Sequence, residues 1–448
     1  MTKPVPSGSI QRQCRGLVFA SCLIFVLAVL APSLTSASPP DLSAKARYDV
    51  FERVWKEIRD HYYDPAFNGV NWDEVRTKYL PRLETAQSER DFYDLLSEMT
   101  GELHDAHTRF NSPEQWSNYK KQQRVSVGFT VDDIGGKPVI TSVAPSSSAA
   151  NEGIEPGMTI VSVDSKPLAE RLADMKADRF ASSSDRATRM TMYSRLLAGP
   201  PDSTLQLGLR RLDGSTFEAP VVRRVVSTVP DVATDVLPLG YAYIRFDGFQ
   251  PHITKQFRRA LTRFRNSPGI VIDLRRNGGG DLAVLLSIAG YFFDKKTLFA
   301  RDSTRSGKPL TQFAGLLRLP LKLYVARAGD PIYSGPVVLL VGPRSASSSE
   351  VFAAGMQDTR RARIVGSATC GCVLGIAKPR RVKGGGVLEI SEVAWYSPKG
   401  RKLEGTGVTP DEEILPTASD FQSKRDPVLA QAEQILRQMG GERRVARE

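Results

Sequence analysis

Residues 337–358 read VVLLVGPRSASSSEVFAAGMQD. The apolar residues Val337 to Val341 predict a buried strand, Gly342 and Pro343 interrupt it, and the serine cluster at 345 and 347–349 with Glu350 opens a helix-forming segment. A strand, a sharp turn and a helix in that order lift a serine hydroxyl out of the sheet. The unpaired N–H groups of the helix start then lie beside it, placed to stabilise a developing oxyanion. Ser347 is the candidate nucleophile. The plainer alternative is that one of these serines simply caps the helix over 351–356.

Outward from this stretch the pattern is α/β. Residues 270–274, IVIDL, form a second continuous apolar run, followed by RRNGGG at 275–280 and a helical segment over 281–292. Such runs belong in a sheet covered on both faces. The glycine turn lets backbone N–H groups face a ligand at a helix start, as a second oxyanion donor or a phosphate cradle would. It lacks the Lys-Ser/Thr ending of a P-loop and the spacing of a dinucleotide fingerprint, which argues against a nucleotide role. Farther on come Thr369-Cys370-Gly371-Cys372, strands around 387–390 and 393–396, GRKLEGTGVTPD at 400–411, and a helix and charged tail beyond 420.

Between about 125 and 224 the texture changes to short strands and turns. Residues 125–131 alternate as a strand, Gly135-Gly136 turns it, residues 138–143 return, and a turn at 153–158 leads into another strand at 159–163. Residues 168–197 form a helical insertion with no assigned role. Upstream, residues 48–63 place Val50, Phe51, Val54, Trp55 and Ile58 at helical spacing, and helical material continues over 73–103. The loop HDAHTRF at 104–110 then holds two of the four histidines. His104 and His107 have no third ligand in the pattern, so no metal is expected. His107 reads either as a catalytic base or as a structural histidine bonded within its loop.

Composition bounds the rest. At 448 residues, 41% hydrophobic and 25% charged, the chain suits two or three globular domains. The net charge of +12 is scattered and no nucleic-acid module accompanies it, which argues for solubility and attraction to anionic envelope surfaces. Arg12 and Arg15 precede an apolar run at 17–31 and small residues at 35–37, the pattern of an export signal cleaved after Ala37. An uncleaved membrane anchor is the alternative. With Cys14 and Cys22 in that segment, only Cys370 and Cys372 remain in the mature chain, so it is no disulfide scaffold.

The order of these motifs resembles the S41 peptidases, the carboxyl-terminal-processing and tricorn-core group. The likeness is carried by IVIDLRRNGGG, GPRSASSSEVFAAGMQDTRRARIVG and LEGTGVTPD behind a strand-rich segment that resembles a PDZ domain. It implies a multidomain α+β protein: a signal peptide at 1–37, a helical segment at 45–112, a PDZ-like domain at 113–226, an α/β (ClpP/crotonase-like) peptidase core at 230–420 and a C-terminal helix and tail at 421–448. In such a PDZ domain Val127-Gly128-Phe129 stands where backbone N–H groups capture a peptide's terminal carboxylate, with strand addition supplying the rest.

Carried over by motif, the resemblance puts the nucleophile at Ser347 and the oxyanion donors on the N–H groups of Ser348 and Gly279. The lysine that processing proteases use as base falls at Cys372, and its supporting glutamine at Ile376, so the usual dyad is absent. The tricorn branch uses a histidine instead. Its motif resembles Asp105-Ala106-His107-Thr108, and its glutamate matches Glu404, giving a Ser347–His107–Glu404 triad; the serine that precedes the histidine there is Ala106 here. Cys370 and Cys372 are expected to pack as small apolar groups, with an i,i+2 disulfide or a redox switch as alternatives. The function implied is an exported, periplasmic or extracellular serine endopeptidase, without cofactor, that binds protein C-terminal tails. The competing reading is a peptidase-derived ligand- or peptide-binding protein whose active site has lapsed.

Overall fold

The computed structural model describes residues 42–175, 181–309, 311–312, 317–318 and 321–445. The expected export signal and Cys14 and Cys22 lie outside them. At the centre is a six-stranded sheet in the order Val232–Val236, Ala242–Phe246, Ile270–Asp273, Val337–Val341, Arg363–Gly366, Glu412–Glu413. The first pair is antiparallel and the others are parallel. The two continuous apolar runs occupy its middle, and their side chains divide between two cores as the period of two requires. Ile270, Ile272, Val337 and Leu339 face helices Pro251–Arg263, Leu282–Ala289 and Ser348–Asp358. Val271, Val338 and Leu340 face Val428, Ala432, Ile435 and Leu436 of helix Pro427–Val445. The C-terminal helix is therefore one layer of the core.

Helices Ala44–His61, Trp72–Thr85 and Glu89–Gly101 follow the predicted apolar spacing, with Val50, Phe51, Val54, Trp55 and Ile58 all buried. The indoles of Trp55 and Trp72 each donate to the other residue's carbonyl, at 2.9 and 3.0 Å. Their core is completed by Val382, Leu388 and Ile390 from far along the chain. Strand Arg109–Asn111 pairs antiparallel with Val387–Glu389, so this segment is built into the core region.

The β-region is an antiparallel sheet in the order Phe129–Ile134, Lys137–Val143, Thr159–Val163, Thr204–Arg210, Thr216–Val222. The single strand expected over 125–131 is in fact two. Gly128, at φ 85°, turns the chain between Gln123–Ser126, which pairs with Arg224–Ser227, and Phe129–Ile134, which pairs with Lys137–Val143. A Cβ there would lie 2.5 Å from that of Ser147, so only glycine serves. Phe129–Ile134 is an edge strand, and helix Asp185–Leu197 of the insertion lies beside it through the Arg189–Asp133 ion pair.

Candidate active site

The turn after Val341 is held by buried polar atoms. Ser345 Oγ donates to the Leu274 carbonyl at 2.7 Å and accepts from Gly342 N–H at 3.1 Å. Asn277, fully buried, accepts from Ser349 Oγ and donates to the Phe246 carbonyl at 3.0 Å. Ser348 Oγ donates to the Gly280 carbonyl at 2.7 Å. Three of the clustered serines are thus structural. Ser347 sits at φ 56°, ψ −122°, a conformation costing on the order of 1–3 kcal/mol for a residue with a Cβ and typical of functional turns. It lines a cavity of about 1860 Å³ together with His107, Ser348 and the Gly278–Gly280 turn, the walls including Leu286, Leu374 and Trp395.

Gly279 packs directly under Ser347. A Cβ on it would stand 2.7 Å from Ser347 Cβ, at a φ of 97° that already demands glycine. Its N–H, expected to be an oxyanion donor, is taken by Asn277 Oδ1 at 2.9 Å. Among the described residues, the N–H groups at this face left without an acceptor include those of Ser348 and Gly278.

Two carboxylates missed by the sequence reading organise the site. Glu350, fully buried, accepts from Thr369 Oγ1 (2.5 Å) and Gly371 N–H (2.7 Å) on one oxygen, and from Cys372 N–H (2.9 Å) and Ser347 N–H (3.1 Å) on the other. Burial pushes its carboxyl up to about 7, against the pull of those donors. The Ser-x-x-Glu spacing of 347–350 was the available signal. Asp105 Oδ1 accepts from the N–H groups of His107 (2.7 Å) and Thr108 (2.6 Å) and from Ser391 Oγ (2.9 Å), fixing the histidine loop through its main chain.

The His107 ring is half-buried, and its Nδ1 has no hydrogen-bond partner. Desolvation pushes the imidazole down to about 4, opposed by the Asp105 charge, so the ring is neutral at neutral pH. Glu404 does not hydrogen-bond it. Its carboxylate accepts from Val373 N–H at 2.7 Å, and burial pushes it up to about 7. The triad expected from sequence is therefore not one bonded chain here.

Cys370 and Cys372 form a disulfide, which corrects the expectation of simple packing. Ala106, Ala187 and Ala346 surround it. The Cys372 carbonyl accepts the Ser347 N–H at 2.8 Å, so the loop at the usual lysine position braces the nucleophile with its backbone. In the β-region, Val127 and Phe129 belong to the core and the Gly128 N–H donates to Ser126 Oγ at 3.1 Å. Arg344, on the nucleophile's turn, donates at 2.5 Å to both the Val131 carbonyl and the Asp132 carboxylate of the edge strand. Among the described residues no cluster of His, Cys, Asp or Glu is arranged to hold a metal, and no helix is long and apolar enough to cross a membrane.

Residues 240–414 match the model of peptidase family S41, and residues 43–101 that of the tricorn protease C1 domain. A tricorn protease homologue of Streptomyces coelicolor is 26% identical over 415 residues, 85% of this chain but only 31% of that longer protein. The chloroplastic C-terminal processing peptidase of Tetradesmus obliquus is 26% identical over 403 residues, covering 85% of this chain and 81% of that one. The carboxyl-terminal-processing protease of Synechocystis sp. is 23% identical over 421 residues, 92% of both chains. Among solved structures, mature CPAF superposes with a TM-score of 0.65 at 15% identity, over 89% of this chain and 98% of that one. The photosystem II D1 C-terminal processing protease does so with a TM-score of 0.57 at 22% identity, over 82% and 93%. These structures share the multidomain α+β fold.

Proposed function

We propose that this chain, whose residues 240–414 match peptidase family S41, is an exported serine endopeptidase that cleaves protein substrates with Ser347 and selects them by their C-terminal tails. One observation carries the reading: Ser347, held in a left-handed turn, opens into the same cavity as a neutral histidine, with the unpaired N–H of Ser348 beside it. Ser347 Oγ attacks the peptide carbonyl as its proton passes to His107. The N–H groups of Ser348 and Gly278 receive the oxyanion, His107 returns the proton to the leaving amine, and water repeats the cycle on the acyl-enzyme. The β-region supplies the PDZ-like module, its edge strand Phe129–Ile134 adding a substrate strand in exchange for the Arg344 contact to the Val131 carbonyl, and the Val127-Gly128-Phe129 turn receiving the terminal carboxylate.

The second reading is a binding protein with a lapsed active site. It is favoured by the unpartnered His107 ring and by cystine in place of the usual lysine. Proteolysis of an unfolded test protein by the chain starting at Ser38 separates the two. Cleavage that disappears in Ser347→Ala and in His107→Ala supports the peptidase. No cleavage by the parent, across substrates with varied C-terminal residues, leaves the binding protein.

A further inference from the structure

We infer that Glu389 and Arg109, ion-paired on the cavity wall beside His107, are opposed positioning residues for the base; the inference rests on the peptidase reading above. The carboxylate favours the imidazolium formed in the reaction and the guanidinium disfavours it. His107, Arg109 and Glu389 all line the cavity that holds Ser347. Thr108, between the first two, points the other way: it is buried, and its Oγ1 accepts the Ser391 N–H at 3.0 Å. His107 and Arg109 therefore share one side of an extended chain, as the period of two requires. Arg109 stands opposite Glu389 in the pairing of Arg109–Asn111 with Val387–Glu389, which puts the carboxylate on that side too.

The carboxylate is firmly held. Glu389 Oε2 accepts from Arg109 Nε at 2.7 Å and from Asn111 Nδ2 at 2.9 Å. The Glu389 side chain is 6% exposed and that of Arg109 46%, so solvent screens the cation more than the anion. A pair of this kind could do no more than clasp two strands. Its place decides otherwise, because the strand it clasps begins two residues after the base.

The charges that face the imidazole are Asp105 on its own loop, Arg109 on the strand that follows, and Glu389 on the strand paired with it. Desolvation is the largest influence and pushes the ring down; Asp105 and Glu389 work against it, and Arg109 works with it. Asp105 is committed to the main chain of the loop through the N–H groups of His107 and Thr108. The pair is the part whose two charges can be removed one at a time. When His107 takes the Ser347 proton, a second cation appears beside Arg109, and Glu389 offsets it. Neither side chain carries a proton in this step: the proton from Ser347 Oγ stays on the imidazole until it passes to the leaving amine.

The test sets Glu389→Gln, Arg109→Gln and the double variant beside the parent chain starting at Ser38. Steady-state proteolysis on the alkaline plateau is read together with the titration of the His107 ring. The titration is followed by NMR of histidine-labelled protein in a Ser347→Ala background, the signal being identified by its loss in His107→Ala. Glu389→Gln should lower kcat about three- to tenfold with KM little changed and move the ring's midpoint down. Arg109→Gln should raise kcat by a similar factor and move the midpoint up by about one pH unit, and the double variant should return both close to the parent. Glu389→Asp, which keeps the charge, should recover most of the lost kcat. Losses of kcat in both single variants that add in the double make the pair a strand clasp and overturn the inference, as does a midpoint that moves in neither. Arg109→Gln changes a half-exposed side chain and reads the midpoint even where Glu389→Gln does not fold. If the parent does not cleave while the midpoints shift in opposite directions, the peptidase reading fails and the hold of the pair on His107 stands.

Discussion

The two sides of the cavity are each organised by a buried carboxylate, and the two carboxylates work differently. Glu350 spends both oxygens on four donors and ties down the Ser347 N–H itself. Asp105 gathers three donors on one oxygen, fixes the main chain of the histidine loop, and leaves the His107 ring without a partner at Nδ1. Ser347, the proposed nucleophile, is preset by its surroundings, whereas His107, the proposed base, is held through its backbone.

The comparison breaks most completely at the nucleophile. Ser347→Ala should lower kcat/KM by a factor of about 10⁴ or more while the thermal transition moves little, since Ser345, Ser348 and Ser349 hold the turn. For the base, His107→Ala should cost a factor of about 10²–10⁴. A loss well below that range would mean that the loose ring takes no part, and the proton acceptor would have to be sought elsewhere.

The carboxylates themselves offer a finer contrast, read by denaturant unfolding. An amide at Glu350→Gln turns an NH₂ against two donors, so stability should drop by about 1–3 kcal/mol. Asp105→Asn keeps the oxygen that does the accepting and should cost less than about 1 kcal/mol. Equal losses would erase the distinction between the two sides.

A pH profile sharpens it further. Glu404, raised to about 7, is protonated in the native state between its ordinary value and 7, so it contributes stability at low pH that is lost as pH rises through 7. Activity has the opposite sign, because the acid must be ionised to support the imidazolium. The acid limb of kcat/KM should therefore lie near 7, and in Glu404→Gln it should give way to the limb of His107 near 4, with a lower plateau.

The smallest effect belongs to the cystine. Changing Cys370 and Cys372 together to serine should cost about 1–2 kcal/mol of stability and less than about a tenfold loss in kcat. The bonds that brace the nucleophile, Ser347 N–H to the Cys372 carbonyl and the Gly371 and Cys372 N–H groups to Glu350, are main-chain contacts that survive the change. A much larger loss of kcat would show that the bond itself shapes the site.

How much of this was legible in the sequence follows from range. The runs at 270–274 and 337–341 declare strands buried on both faces, and the spacing of Val50 to Ile58 declares a helix face, because both signals are local. The Ser347 turn was visible for the same reason. What escaped was pairing across the fold: Ala106 with Ser183, Asp105 with Ser391, and the Arg109–Asn111 strand with Val387–Glu389. No periodicity encodes such partners. Gly279 was recognised as part of the turn, but the side chain that claims its N–H, two residues upstream, could be placed only once the turn had folded.

The pairing of Arg109–Asn111 with Val387–Glu389, and of Ser391 with Asp105 and Thr108, also sets a schedule. A chain still on the ribosome, or threaded unfolded through a translocation pore, has no seat for the His107 loop until residues 387–391 have emerged. The base and the nucleophile meet only in a nearly finished molecule. In the proposed peptidase the cutting centre is therefore among the last parts to assemble.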